Sequence, residues 1–278
     1  KNLNRINQKI YVRSISMLMV INLDRQQDRL TKIQENLELQ RLKFQRIQAC
    51  DGKLMPKTAA DSLCRYPAAG GFEMSPEEVA CYVSHVAAWK KLLTSQEPHA
   101  IILEDDVVLG EGSGAILKHL AWVPEDVDII KLETWRKRLS IAQRPCKTVE
   151  GRGIYRLRSH HAGTAAYIIS RQGAEKALQH STPMKCPIDV ALFNPLYGNA
   201  RAFRIYQMAP ALCIQRRLFD GSGAGQVESD FGISERGHTR SYGKNWRERS
   251  FHFSVLCLRR IIMRVSHFLS GRKRVDFC

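Results

Sequence analysis

Residues 100–106, Ala-Ile-Ile-Leu-Glu-Asp-Asp, carry four apolar side chains directly into three consecutive carboxylates. No other stretch limits the possible folds as strongly. The apolar run follows a short loop at Pro98 and reads as a buried strand. Adjacent carboxylates raise one another's pKa, so a triplet at a strand end is costly unless something offsets the charge. A divalent cation does so, and in open α/β sheets ligands bind at the carboxyl ends of strands. Mg²⁺ and Mn²⁺ prefer oxygen ligands and bridge one or two carboxylates to a diphosphate. The alternative reading is a solvated turn at the strand end, or charges at a helix N-terminus.

The stretches around this junction alternate in type. Residues 15–23 (ISMLMVINL) read as an apolar strand, and Leu30, Ile33 and Leu37 then fall on one helical face. Residues 44–49 alternate as a strand closed by the Asp51-Gly52 turn. Strand, helix and strand in this order open a Rossmann-like α/β sheet. Residues 53–72 read as irregular, with Pro56, Pro67 and Gly70-Gly71. Ser75, Pro76 and Glu78 announce the next helix through an N-cap, a first-turn proline and a capping box. Its Val79, Val83 and Val86 make one apolar face, and Tyr82, His85, Trp89 and Leu92 another, so the helix is expected to be largely buried. Further strands are predicted over 128–132, 164–170 and 203–208, with helices over 172–178 and after Pro187-Ile188-Asp189. Residues 135–153 read as a basic loop and 221–225 as a flexible one. Without repeat or long linker, the pattern predicts one domain over 15–235 and a basic tail over 236–278.

Charge supports that division. The chain of 278 residues has a net charge of +16, yet residues 236–278 alone hold 11 Lys/Arg against 2 Asp/Glu. Such a surface favours polyanions, among them nucleic acid, anionic lipid headgroups and phosphorylated glycans. In the tail, Phe251, Val255, Leu258, Ile262, Val265 and Leu269 share a helical stripe flanked by Arg259, Arg260 and Arg264. A basic amphipathic helix suits an anionic membrane surface; the alternatives are packing on the domain or a dimer contact. Aromatic residues fall in the strands and buried helices rather than among Lys/Arg, and no nucleic-acid motif is present, so no nucleic-acid partner is expected. The eight cysteines form no Cys-x-x-Cys pair, which argues against a zinc site, and their irregular spacing suggests reduced thiols and a cytoplasmic protein. No apolar run reaches spanning length and no secretory signal is visible, which predicts a peripheral rather than a spanning membrane protein.

The segments VINLDRQQDRLTKI, EVACYVSHVAAWKKLL, IILEDDVVLG, IIKLET, HHAGTAAYIISRQGA, PID, APALCIQ and ESDFG, in this order and spacing, resemble glycosyltransferase family 25, the bacterial lipopolysaccharide and lipo-oligosaccharide galactosyltransferases. The resemblance covers most of residues 19–230. It implies a GT-A-type α/β fold with a mixed sheet flanked by helices, a UDP-sugar donor, Mn²⁺ or Mg²⁺, inversion at the anomeric carbon and a lipid-linked oligosaccharide acceptor at the inner face of the membrane. Galactose is the donor sugar it favours. The family's Asp-x-Asp motif falls on Glu104-Asp105-Asp106, which makes Glu104 and Asp106 candidate metal ligands and turns Asp105 toward ribose or sugar. Asp230, in Glu-Ser-Asp, is a further candidate ligand or a rival base.

By the same resemblance, Asn22, Leu23, Arg25 and Arg29 line the uridine edge after the first strand, and Arg pairs with phosphate bidentately. Asp51 and Gly52 end the neighbouring strand; Asp51 is read as an acceptor for ribose or uracil, or simply as a turn residue. His85 resembles the family's donor-site Ser-His pair, although a lone His on such a face is commonly a satisfied core residue. His161 and Glu133 are candidates for contacts to sugar hydroxyls, His161 also to the metal. Inverting transfer needs a base for the acceptor hydroxyl, and Asp189 is the first candidate; otherwise it serves as a helix N-terminal charge. The competing functions are a basic nucleic-acid-binding protein, a phosphoryl-transfer enzyme using the same carboxylates, which lacks a Walker-type loop, and a catalytically silent sugar-nucleotide binder.

Overall fold

The computed structural model describes residues 16–64, 73–194, 198–221 and 272–278. The first half runs β1 (Met17–Asn22), α1 (Gln27–Leu39), β2 (Gln45–Gln48), α2 (Lys57–Leu63), α3 (Pro76–Thr94), β3 (His99–Glu104), β4 (Val107–Leu109) and α4 (Ser113–Leu117). The second half runs β5 (Ile129–Lys131), β6 (Glu133–Thr134), β7 (Arg138–Ser140), β8 (Lys147–Val149), β9 (Arg152–Arg156), β10 (Ala166–Ser170), α5 (Arg171–Gln179), α6 (Ile188–Phe193), β11 (Ile205–Ala209), β12 (Cys213–Gln215), α7 (Arg216–Phe219) and β13 (Arg272–Arg274).

Eight strands form a mixed sheet in the order β2-β1-β3-β10-β5-β11-β9-β8. β1 lies parallel to both β2 and β3, and β10 runs antiparallel between β3 and β5. Side chains alternate between two cores. Met17, Met19, Ile21, Ile102 and Tyr167 face one that includes Trp89 of α3 and Phe193 of α6. Leu18, Val20, Ile101, Leu103 and Ile168 face the other, with Ile33 and Leu37 of α1 and Leu117 of α4. Both faces are therefore covered, which is why these strands read as unbroken apolar runs rather than as an alternation. The expected mixed α/β sheet flanked by helices is the architecture found.

β4, β12 and β6 pair in a second, three-stranded sheet. Its strands β4 and β6 follow directly on β3 and β5, so both chain segments leave the main sheet at the carboxylate edge. The capping box of α3 forms in both directions: the Glu78 amide donates to Ser75 Oγ at 3.2 Å, and the Ser75 amide donates to Glu78 Oε2 at 2.9 Å. An N-cap of this kind contributes about 1 kcal/mol.

Three regions differ from expectation. Residues 57–63 of the segment read as irregular form α2. Residues 135–153 are not simply loop: they contain β7, β8 and the start of β9, and β9 pairs with β11 to extend the sheet. The end of the basic tail is strand rather than helix. β13 pairs antiparallel with β7, Thr134 Oγ1 donates to the Val275 carbonyl, and the Ala211 amide donates to the Asp276 carbonyl at 2.8 Å. Val275 is fully buried, so residues 272–278 belong to the body of the domain. The amphipathic stripe at 251–269, the loop beyond Gly221 and Asp230 lie outside the described residues. No helix among the described residues is long and apolar enough to cross a membrane.

Candidate active site

The loop entering β10 gathers three carboxylates from three different elements. The Gly163 amide donates to Asp189 Oδ2 at 3.1 Å, Thr164 Oγ1 donates to Glu104 Oε1 at 2.8 Å, and the Ala165 amide donates to Glu133 Oε1 at 2.9 Å. Glu104 ends β3, Glu133 opens β6 and Asp189 stands in the first turn of α6. Gly163 is suited to the junction because its φ is +84°, and a Cβ there would lie 3.0 Å from Trp135 Nε1 and 3.2 Å from Glu133 Oε2.

Lys131 fastens the same loop from below. Its Nζ donates to the carbonyls of His161, Ala162 and Gly163 at 3.1, 3.0 and 2.7 Å, and lies 3.2 Å from Glu133 Oε1. Neither Lys131 nor Glu133 is exposed. Burial pushes the Lys131 pKa down and the Glu133 pKa up, each opposed by the charge of the other. The sequence reading missed Lys131; its signal was a lone lysine inside the apolar run DIIKL.

The three carboxylates of the triplet diverge. Glu104 Oε1 lies 3.4 Å from His85 Nε2. Burial works to raise its pKa, but the hydrogen bonds from His85 and Thr164 and the positive charge of Lys131 outweigh that and hold it below the usual range. Asp105 turns toward β1, where Asn22 Nδ2 donates to it at 2.7 Å and Arg29 lies 3.6 Å away. Burial nevertheless leaves its pKa raised. Asp106 points to the small sheet, where Gln215 Nε2 donates to Oδ2 at 3.3 Å. Its Oδ1 is buried without a hydrogen-bond partner among the described residues. Burial, followed by the charges of Glu104 and Asp105, pushes its pKa up to about 7. A buried, partnerless anionic oxygen with raised pKa matches what a hard divalent cation relieves, and such a cation needs only one or two carboxylates when a diphosphate completes its shell. The oxygen-only donor set of Asp106 and Glu104 fits Mn²⁺ or Mg²⁺ on this ground.

Several candidate residues are turned inward. Asn22 is 1% exposed and its amide is fully engaged, with Nδ2 donating to Asp105 and to the Gln26 carbonyl, and Oδ1 accepting from Arg46 Nε. It braces the end of β1 rather than facing solvent. Asp105 is likewise engaged from the side of β1 and α1, by Asn22 and Arg29. His85 is 0% exposed: Tyr167 OH lies 2.9 Å from its Nδ1 and Trp89 Nε1 donates to the same phenol oxygen at 2.9 Å. It therefore acts on Glu104 from behind and not on a donor directly. His161 is 4% exposed and paired with Gln207 at 2.9 Å. Burial, then Lys131, holds its pKa well below the ordinary value, and the residue is packed into the core rather than presented to an open site.

Of the residues expected at a uridine edge, Leu23, Arg25, Arg29 and Asp51 are not buried. Arg25 Nε donates to Asp51 Oδ2 at 2.6 Å, and this hydrogen bond, against burial, lowers the Asp51 pKa. Both residues line a cleft of about 670 Å³ bounded by Asp24, Gln48, Cys50, Leu54, Val83 and Ser84. Gly52 beneath it has a steric reason for its identity, since a Cβ there would lie 2.3 Å from Glu77 Cα.

The chain matches the description glycosyltransferase family 25 (LPS biosynthesis protein) over residues 16–192, more than half its length. It belongs to glycosyltransferase family 25. All described candidate residues lie inside the matched span. Among relatives, it is 32% identical over 151 residues to the lacto-N-neotetraose biosynthesis glycosyltransferase LgtE of Neisseria gonorrhoeae, covering 51% of this chain and 54% of that one. It is 33% identical over 151 residues to LgtB of Neisseria meningitidis serogroup B, with the same coverage. A putative glycosyltransferase of Haemophilus influenzae is 26% identical over 201 residues, covering 70% of this chain and 69% of that one. The chain thus spans about half the length of the first two relatives it matches. A solved glycosyltransferase involved in glycosylation of the major capsid of PBCV-1 overlays with a TM-score of 0.38 and 8% identity, over 72% of this chain and 94% of that one.

Proposed function

We propose that this family 25 chain transfers a hexose, galactose before others, from a UDP-sugar to a lipo-oligosaccharide or lipopolysaccharide acceptor, with inversion at the anomeric carbon. The observation that carries the reading is the convergence of Asp189, Glu104 and Glu133 on Gly163, Thr164 and Ala165, with the buried Asp106 oxygen two positions along the chain from Glu104. Arg25, Asp51 and the cleft beside them suit a nucleoside, with Asp51 accepting from ribose or uracil. Arg29 offers a cation toward the diphosphate. Glu133 Oε2 and Trp135 Nε1 are both buried without partners among the described residues, and both adjoin Gly163. Together they offer an acceptor and a donor, the pair a sugar hydroxyl requires.

Asp106 and Glu104 would hold the divalent cation, which offsets negative charge on the departing diphosphate. Asp189 takes the proton of the acceptor hydroxyl. Its Oδ2 accepts from Gly163 and its Oδ1 from the Val190 amide at 2.8 Å, so the carboxylate is held in one orientation while each oxygen keeps a further lone pair. The same contacts serve the start of α6, so the helix-charge role coexists with the base role. Release of UDP from a panel of UDP-sugars, with Mn²⁺, with Mg²⁺ and with EDTA, tests the proposal. Cation-dependent release confined to one hexose supports it; release from none of them sinks it.

A further inference from the structure

Behind Glu104 lies a cluster that the transfer reaction does not use as such. Cys81 and His85 are four residues apart on α3 and so share a face of the helix. Their Sγ and ring nitrogen, with a carboxylate oxygen of Glu104, all lie within 4.8 Å of one another, the only such trio of His, Cys, Asp or Glu among the described residues. The Thr164 hydroxyl donates to Glu104 Oε1 at 2.8 Å, which fixes one of the three ligands.

The surroundings complete what a thiophilic cation needs. A ligating His is usually oriented by a hydrogen bond at its other ring nitrogen. His85 Nδ1 has that partner in Tyr167 OH at 2.9 Å, and the phenol is itself held by Trp89 Nε1 at 2.9 Å. Metal binding shifts the His85 proton from Nε2, where it faces Glu104, to Nδ1, where it faces the Tyr167 oxygen, so that Nε2 presents its lone pair to the metal. A thiolate and a carboxylate together neutralise a dication, which removes the main cost of burying it. The donor set is sulfur, nitrogen and oxygen. That mixture selects Zn²⁺ or Co²⁺ over Mn²⁺ and Mg²⁺, which prefer oxygen alone.

We propose that Cys81, His85 and Glu104 form a Zn²⁺-binding site that withdraws Glu104 from the donor site and so inhibits transfer. Binding releases the Cys81 proton and forms one sulfur–metal bond, one nitrogen–metal bond and one carboxylate–metal bond; no electrons are transferred. The inhibitory role rests on the proposed placement of Glu104 in the donor site, whereas metal capture by the trio does not.

The two are separable by experiment. Metal-stripped full-length protein is titrated with Co²⁺ in the absence of any sugar nucleotide, and thiolate-to-cobalt charge-transfer absorption is recorded. The expected result is about one equivalent bound, with the absorption lost in Cys81→Ser and recovered cobalt displaced by Zn²⁺. Cys81→Ser replaces a half-buried thiol by a near-isostere, and its melting curve reports whether it folds. His85→Gln is the second variant and is expected to weaken Co²⁺ binding at least tenfold while the Cys146→Ser control leaves it unchanged. Charge-transfer absorption that persists in folded Cys81→Ser, or none in the parent, overturns the site. If the site binds but micromolar Zn²⁺ leaves Mn²⁺-supported turnover of the parent intact, the inhibitory role is overturned while the site stands.

Discussion

The Gly163 amide donates to Asp189 Oδ2 at 3.1 Å, which joins the first turn of α6 to the loop entering β10. This bond places a carboxylate beside the loop that also receives Glu104 and Glu133. Asparagine keeps the shape and one acceptor oxygen but cannot take a proton from a hydroxyl. Asp189→Asn is therefore expected to lower turnover at least 100-fold. Affinity for the UDP-sugar, measured by calorimetry, stays within about threefold. Turnover close to that of the parent would remove Asp189 from the base role.

Gly163 carries φ +84° and sits against Glu133 and Trp135. Alanine there pays for the left-handed backbone, about 1–2 kcal/mol, and inserts a methyl group 3.0 Å from Trp135 Nε1 and 3.2 Å from Glu133 Oε2. The Gly163→Ala chain should unfold at lower urea, by a midpoint shift corresponding to about 1–3 kcal/mol. It should also lose sugar-dependent turnover more than it loses UDP affinity. An unshifted urea midpoint would show that the loop relaxes around the methyl group.

Much of the main sheet was legible because its signals are local. The runs at 17–22 and 99–104 are buried on both faces, and Ser75, Pro76 and Glu78 mark the start of α3 at its N-cap, first and third positions. β7, β8 and β13 were not legible: each has three residues, β7 and β13 read RLS and RKR, and β13 finds its partner more than 130 residues away. Local pattern carries no record of such pairing. The site divides similarly. The triplet was visible as adjacent charge, but the divergence of its side chains depends on Asn22, Thr164 and Gln215, which arrive from three other elements. His85 and Asp105 were legible as unusual residues, and their inward orientation follows from Tyr167 and Asn22, contacts between positions more than 80 residues apart.

The basic stripe of residues 251–269 yields a prediction that respects the packing of the chain end. Removing everything after Ser250 would also remove β13 and the buried Val275, so loss of binding in a truncated chain would be ambiguous. Substituting Arg259, Arg260 and Arg264 by Glu leaves residues 272–278 in place. Each basic residue near an anionic surface contributes about 1 kcal/mol, so this triple variant should lose flotation with phosphatidylglycerol vesicles by well over tenfold. Neither protein should float with phosphatidylcholine alone. Equal flotation of both proteins with the anionic vesicles sinks the membrane reading of the tail.

Asp106 gives the chain a stability that depends on pH in an unusual direction. Its folded pKa of about 7 lies above the ordinary carboxylate value of 3.8, through burial first and then the charges of Glu104 and Asp105. Between those two values the folded state binds more protons than the unfolded state, so stability falls as pH rises from about 4 to about 7. Above pH 7 the full penalty is present, because an ionised Asp106 is retained in a site that disfavours it. The neutral amide of Asp106→Asn escapes that penalty. In EDTA at pH 8 the variant should melt at least about 3 °C above the parent, and the gap should narrow as pH falls toward 5. Mn²⁺ should raise the melting temperature of the parent at pH 8 and leave Asp106→Asn nearly unchanged, since the variant lacks the anionic ligand. A variant that melts below the parent in EDTA, or that gains as much from Mn²⁺, would show that Asp106 neither carries the strain nor holds the cation.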